Sequence, residues 1–429
     1  MEPYWSEEFG NPSSLYRAGR KAKEALDSER QTVARLLNCR PEEITFTGGG
    51  TEAINLAIFG AAHFYSNVLK NIGISADAGE HPACRGHLIT SKIEHHAVLH
   101  SMQALEKEGF EVTYLDVDEY GMVKPEDVEK ALRPDTILVS IMYANNEIGT
   151  IEPISEIANA IRDFRKQIAN SKSQSVGDSR FAISALPLFM TDACQAAGAL
   201  DMDVQKLGLD MLAMNGSKIY GPKGVGCLYV RRGVRLAPLI YGGGQENNLR
   251  SGTENIPGIV GFAKAFEIAQ GEREKENVRL IELRDYLIGR LLKEIPKVVL
   301  NGHLARRLPN NVNVSVLDIE GEAVILYLDA KGIYISTGSA CASTSLDPSH
   351  VILAIGRPYE YAHSSLRFTL GRKTTKEDLA YVMEVLPGVV EKLRVVSPIR
   401  MEVGQKGISH PEAFAGQGAK VKPGGKTYK

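Results

Sequence analysis

The first half of the chain constrains the fold most, because short apolar runs alternate there with stretches of helical periodicity. "EITFTGG" is a β-rich run ending in glycines, and "TEAINLAIFGAAHFYSNVL" follows with apolar residues at helical spacing. "HLITS" precedes "AVLHSMQALEKEG", and "EVTYLDVD", "TILVSIMYAN" and "LPLFMTDA" are separated by the amphipathic "KPEDVEKAL" and "ISEIANAIRDFRKQI". Strands that are apolar throughout and joined through helices form a parallel sheet covered on both faces. An α/β architecture follows, with ligands expected at the carboxyl ends of the strands.

After about residue 270 the rhythm changes. "GEREKENVRLIELRDYLIGRLLKEI" reads as one charged helix, "VVLNG", "NNVNVSVLD" and "SLRFTLG" as strands, and "KEDLAYVMEVLPGVVEKLRVV" as a closing helix. The expected organisation is a large domain over 1–270, a smaller α+β domain over 271–400 and a flexible tail over 401–429. The polar "ANSKSQSVGDSRFAISA" reads as a surface insertion near 168–185.

Of the 429 residues 43% are hydrophobic and 24% charged, and the formal net charge is −2. That balance offers no basic surface for nucleic acid or anionic lipid, and no apolar run approaches the length of a membrane span. "MEPYWSEEFGNPSS" lacks a charged segment followed by an apolar one, so the expected location is cytoplasmic. Five scattered cysteines, Cys39, Cys84, Cys194, Cys227 and Cys341, argue against a disulfide framework.

Four features lie where such a sheet gathers ligands. In "FTGGGTEAIN" a strand ends in three glycines and Thr51 opens a helix, which makes an anion cradle or a plain tight turn. Asp192 directly follows the run "LPLFMT", as a helix N-cap or as a partner for a protonated ring nitrogen. Lys218 sits in "MNGSKIYGPKG", among turn formers that fix an unusual backbone around one amine. Most lysines are solvated bystanders, but a loop lysine beside a phosphate cradle and a strand-end Asp suits pyridoxal 5′-phosphate.

The fourth feature is Cys341 in "ISTGSACASTSLD". Small and hydroxylated neighbours surround it, whereas Cys227 in "GVGCLYV" has the apolar setting of a packing cysteine. A reactive thiol and an incidental cysteine in a small-residue turn both fit. His95 or His96 in "SKIEHHAVLH" could face the site, or cap the helix or lie on the surface. His81, Cys84 and His87 are three apart, but nothing clearly supplies further ligands, so no metal is expected.

Taken together and in this order, these residues resemble the cysteine desulfurases, a branch of the class V aminotransferase-like enzymes. The matching stretches are "FGNPSS", "EITFTGGGTEAINLAI", "SKIEHHAV", "ILVSIMYANNEIG", "TDACQAAG", "KIYGPKGVGCLYVR", "GGGQENNLRSGTENI", "STGSACASTSLDPSHV" and "AHSSLRFTLGR". They cover about residues 9 to 372. The resemblance implies the type I fold of pyridoxal-phosphate-dependent transferases, with a mostly parallel seven-stranded sheet flanked by helices and a smaller C-terminal domain.

It also implies roles, position by position. Lys218 holds the cofactor aldehyde, Asp192 pairs with the pyridinium nitrogen, and His95 stacks on the ring and helps move protons. Gln195 and Asn146 bind near the ring hydroxyl and the substrate. Gly50 and Thr51 clamp phosphate with Asn215 and Ser217, and Thr253 reaches over from the second subunit of a homodimer. Arg367 takes the carboxylate of L-cysteine, and Cys341 is the nucleophile that becomes a persulfide. L-Alanine is the product. The extended cysteine loop resembles that of the subgroup feeding an iron–sulfur scaffold or a tRNA-thiolation protein.

The sequence departs from the family pattern twice. The family opens with a strand and an "N-A-A-T-T-P"-like turn ahead of "FGNPSS", and this sequence begins in the helix after it. A weakly active or inactive dimeric scaffold is the alternative this raises. The family also has Ser and His where Asn215 and Ser217 stand, so weaker phosphate binding is expected. A selenocysteine lyase or a small-molecule aminotransferase on the same scaffold is the other alternative.

Overall fold

The computed structural model describes residues 1–71, 85–171, 186–338, 348–398 and 400–404. Cys341, His81, Cys84, nearly all of the expected insertion and most of the expected tail lie outside the described residues.

Seven strands form the main sheet: β1 (Ile44–Thr47), β2 (His87–Ser91), β3 (Glu111–Leu115), β4 (Thr136–Ser140), β5 (Leu188–Asp192), β6 (Met211–Asn215) and β7 (Gly226–Val230). Their spatial order is β1-β7-β6-β5-β4-β2-β3. The pairs from β6 through β5, β4 and β2 to β3 are parallel. Only β7 runs antiparallel, to both β6 and β1. The mostly parallel α/β sheet expected from the alternation is therefore what forms.

Side chains alternate across this sheet, and both faces are covered. Leu188 and Met190 of β5, with Met211 and Ala213 of β6, join the apolar layer under the helix Gly50–Asn71. Phe189, Leu212 and Met214 point the other way, into a core shared with the helix Arg17–Leu37. With both faces covered, open space is left at the strand ends rather than their middles, so functional side chains collect there.

A second sheet of three antiparallel strands comprises β8 (Val298–Leu300), β9 (Asn311–Val316) and β10 (Ser365–Thr369), in the order β10-β9-β8. The helix Lys376–Val396 covers it and starts at a capping box. Thr375 Oγ accepts from the Asp378 amide, and the Asp378 carboxylate accepts from the Thr375 amide.

One 39-residue helix, Ile256–Glu294, joins the two sheets. Its first part (Ile259, Phe262, Phe266) packs in the main core and its last part (Leu283, Leu287, Leu291) in the small one. Residue 270, where the large domain is expected to end, lies inside this helix. At the far end Met401 is buried, its amide donating to Asp318 Oδ1 at 2.7 Å. Met401 thus packs on the body, while Glu402, Val403 and Gly404 are exposed. No helix among the described residues is long and apolar enough to cross a membrane.

Candidate functional site

The carboxyl ends of β1, β2, β4, β5 and β6 surround one cavity of about 360 Å³, closed on its other side by residues of the small sheet. Its lining includes Gly50, Thr51, His95, Asn146, Asp192, Gln195, Asn215, Ser217, Lys218 and Arg367. Every described residue to which the resemblance assigns a role is present except Thr253. That residue is exposed and outside the lining.

Three glycines turn β1 into the helix Gly50–Asn71. Gly49 has φ 152°, where other residues are strained. Gly50 begins the helix, and a Cβ there would stand 2.6 Å from Cys194 Sγ and 3.3 Å from Asn215 Nδ2. Only hydrogen fits, so the backbone closes directly on the cavity. The first helical amides have no carbonyl one turn back and offer an anion site, with the Thr51 hydroxyl beside them. Glu52 braces this turn, accepting from the Gly48 amide at 3.0 Å and from Arg250 Nε at 2.9 Å.

Asp192 ends β5 and is 6% exposed. Its Oδ1 accepts from the Cys194 amide at 2.9 Å, which aims the carboxyl along the cavity wall. Lys218 follows β6 in a single turn, Ser217–Ile219. Asn215 fixes that turn, its Oδ1 accepting from the Lys218 amide at 3.3 Å. The turn ends at Tyr220, held at φ 62°, an uncommon conformation for a bulky residue. The Tyr220 hydroxyl accepts from the Arg372 amide at 3.1 Å, tying the lysine turn to the small sheet's end.

Of the two histidines left open by the sequence, His95 faces the cavity. It caps the helix His96–Lys107, its Nδ1 accepting from the Ala97 amide at 3.1 Å. His96 turns away and packs its ring 4.9 Å from His350 and 5.0 Å from His100.

Arg367 crosses from β10 to the main sheet, Nη1 donating to the Asn146 carbonyl at 2.9 Å. Its buried Nε has no hydrogen-bond partner among the described residues. A buried guanidinium N–H without an acceptor is costly, and an incoming carboxylate would satisfy it.

The described cysteines are poor nucleophiles. Burial pushes the Cys39 thiol up to about 12, and burial then Asp192 hold Cys194 well above its ordinary value. Burial does the same to Cys227. Among the described residues, no three or more His, Cys, Asp or Glu side chains are placed to hold a metal ion.

Several lining residues were not found from the sequence. Asn311 and Thr369 come from the small sheet, Leu308, Asn310 and Leu370 from the chain flanking its strands, and Met142 and Tyr220 from loops. Asparagines inside a strand, as in "NNVNV", were the available signal, since they are poor strand formers unless bonded.

The donors present fit pyridoxal 5′-phosphate. A side-chain-free cradle and hydroxyls suit its phosphate, a buried carboxylate its ring nitrogen, and a loop amine its aldehyde. Comparison with known proteins agrees. The model of the family described as "Aminotransferase class-V" matches residues 1–187 and 179–382. A protein of Dictyoglomus turgidum called "Cysteine desulfurase IscS" is 48% identical over 402 residues, 94% of this chain and 93% of that one. A solved "NifS-like protein" superposes with a TM-score of 0.78 at 34% identity, covering 92% of this chain and 94% of that one. The structure titled "SspA in complex with cysteine" superposes with a TM-score of 0.68 at 35% identity, covering 86% and 93%.

Proposed function

The chain belongs to the class V aminotransferase family, and from that premise we propose that it is a pyridoxal-phosphate-dependent cysteine desulfurase. It converts L-cysteine to L-alanine and leaves the sulfur as a persulfide on Cys341. The observation that carries this reading is the shared cavity of Lys218, Asp192, His95 and Arg367, whose Nε has no acceptor among the described residues.

When bound, pyridoxal phosphate supplies an electron sink that acidifies the α-carbon of an attached amino acid. The chain's own residues do the rest. Gly50, Thr51, Asn215 and Ser217 bind the phosphate. The Asp192 carboxylate keeps a proton on the ring nitrogen, and His95 covers the ring. Lys218 would hold the cofactor's aldehyde, and its amine would be the group to carry the α-proton. Arg367 and Asn146 orient the substrate carboxylate, and Gln195 donates near the ring hydroxyl.

The Cys341 thiolate then attacks the substrate sulfur. A sulfur–sulfur bond forms and the substrate's carbon–sulfur bond breaks, its electron pair returning to carbon. With proton uptake there, thiol and cysteine become persulfide and alanine, and no outside oxidant is needed. Burial of Cys39, Cys194 and Cys227 supports Cys341 in this role. The persulfide sulfur passes to an iron–sulfur scaffold or a tRNA-thiolation protein. The enzyme works as a homodimer in the cytoplasm, with Thr253 of each copy serving the other's phosphate site.

The test is L-alanine formation from L-cysteine by the purified holoenzyme. Cys341→Ser abolishes it while the cofactor's absorbance remains, and Lys218→Ala removes both the activity and the band of the bound cofactor. Amino transfer to a 2-oxo acid that is indifferent to Cys341 would overturn the reading.

A further inference from the structure

The mechanism above uses Asn146 of the turn that follows β4 but not its neighbour Glu147, a carboxylate only 3% exposed. Its backbone is fixed on both sides. Asn145 Oδ1 accepts from its amide at 2.8 Å, and its carbonyl accepts from Asn311 Nδ2 at 3.0 Å and Asn313 Nδ2 at 3.1 Å. The side chain is therefore delivered to one place.

Two described residues that bracket the Cys341 stretch meet at that place. Ser349 Oγ donates to Glu147 Oε2 and also accepts from the Ile352 amide at 3.2 Å. Gly338, on the other side, lies so close that a Cβ there would be 2.8 Å from Glu147 Oε2 and 3.2 Å from Ser349 Cβ. Its amide donates to Ser365 Oγ at 3.3 Å. Gly338 and Ser349 thus touch across one carboxyl oxygen.

The same junction reaches the substrate arginine. Arg367 pairs its backbone with Ser336, at 2.7 Å and 3.2 Å, two residues before Gly338. Its guanidinium donates to the carbonyl of Asn146, the residue before Glu147. Burial pushes the Glu147 carboxyl up to about 7, with the Ser349 hydroxyl and the Arg367 charge opposing. A carboxyl that accepts from Ser349 costs less there than an unpaired buried charge.

We propose that Glu147 is a positioning residue for sulfur transfer: by holding Gly338 to Ser349 beside Arg367, it sets the point from which the Cys341 thiol meets the bound substrate. This rests on the assignment of Cys341 as nucleophile. Cys341 follows Gly338 by three residues in the sequence, so Gly338 is the described residue nearest to it on its N-terminal side. Misplacement of a reacting group by about 1 Å costs on the order of 100-fold in rate.

The test compares wild-type holoenzyme with Glu147→Ala, Glu147→Gln and Gly338→Ala. Three readouts are taken: kcat and KM for alanine formation, the half-saturation of the cofactor's absorbance change with L-cysteine, and the rate of Cys341 alkylation by iodoacetamide, mapped by peptide mass. Glu147→Ala and Gly338→Ala lower kcat about 100-fold. They leave the half-saturation unchanged and change the alkylation rate. Glu147→Gln keeps the accepting oxygen and stays within about threefold of wild type, since a neutral acceptor still serves Ser349.

Should Glu147→Ala fail to fold, Gly338→Ala carries the same expectation alone. Equal kcat in wild type and Gly338→Ala overturns the proposal, as does a kcat loss matched by a lost absorbance change. If the wild type makes no alanine, the functional reading fails by itself. Alkylation then decides the placement, and equal Cys341 rates in wild type and both variants overturn it.

Discussion

Replacing Glu94 by Gln should flatten the pH dependence of stability. Glu94 is completely buried, one residue before His95. Its Oε1 accepts from Ser91 Oγ at 2.7 Å and from the Met142 amide at 2.9 Å, joining the ends of β2 and β4 behind the cavity. Its buried Oε2 has no hydrogen-bond partner among the described residues. Burial pushes this carboxyl up to about 8 from an ordinary 4.5; the two hydrogen bonds oppose the rise, and the Asp192 charge adds to it. A carboxyl raised in the fold keeps its proton where the unfolded chain has lost it. Its contribution is therefore whole below about pH 4.5 and lost as pH rises through about 8. Three and a half pH units at about 1.4 kcal/mol each set a ceiling of roughly 5 kcal/mol.

Gln offers the same oxygen to Ser91 and Met142 and cannot ionise. Its amide nitrogen replaces the unpartnered oxygen at a cost that does not vary with pH. The unfolding midpoint of E94Q, followed by circular dichroism, should gain on wild type steadily from about pH 5 to about pH 8 and hold its lead above that. A difference that stays constant across this range, or that narrows as pH rises, would refute the reasoning.

Other substitutions test the cavity itself. Arg367→Lys keeps a charge but loses the fork that reaches Asn146 and substrate together, so KM for L-cysteine should rise about 30-fold, read from steady-state kinetics. Gly50→Ala forces a Cβ to 2.6 Å from Cys194 Sγ. Absorbance titration of the apoprotein should show pyridoxal phosphate bound about tenfold more weakly, a loss of about 1.4 kcal/mol. Cys194→Ala should still form persulfide within about threefold of the wild-type rate, because burial already keeps that thiol from ionising.

Much of the main sheet was legible because buried parallel strands announce themselves as apolar runs. "HLITS" coincides with β2, and the helices after β1, β2 and β4 begin within a residue or two of the expected places. "TILVSIMYAN" reads as one run, yet the strand stops at Ser140. Asn145 takes over there, its side chain bonding to Ile93, Glu147 and Ile148 and turning the chain into the cavity. The run "GVGCLYV" showed a packing cysteine but gave no sign that β7 runs against its neighbours. The site residues on β1, β2, β5 and β6 follow from strand ends and turn formers. Those from the small sheet do not, since their approach depends on pairing across the long helix, which no local pattern encodes. Local sequence could not choose between His95 and His96 either; the helix cap chooses His95 by using its Nδ1.

The most direct measurement is the mass of the holoenzyme after incubation with L-cysteine in the absence of reductant. A gain of one sulfur atom, located on the peptide carrying Cys341 and absent from Lys218→Ala, is the expected result. An unchanged mass, or sulfur found on Cys39, Cys84, Cys194 or Cys227 instead, would contradict the account.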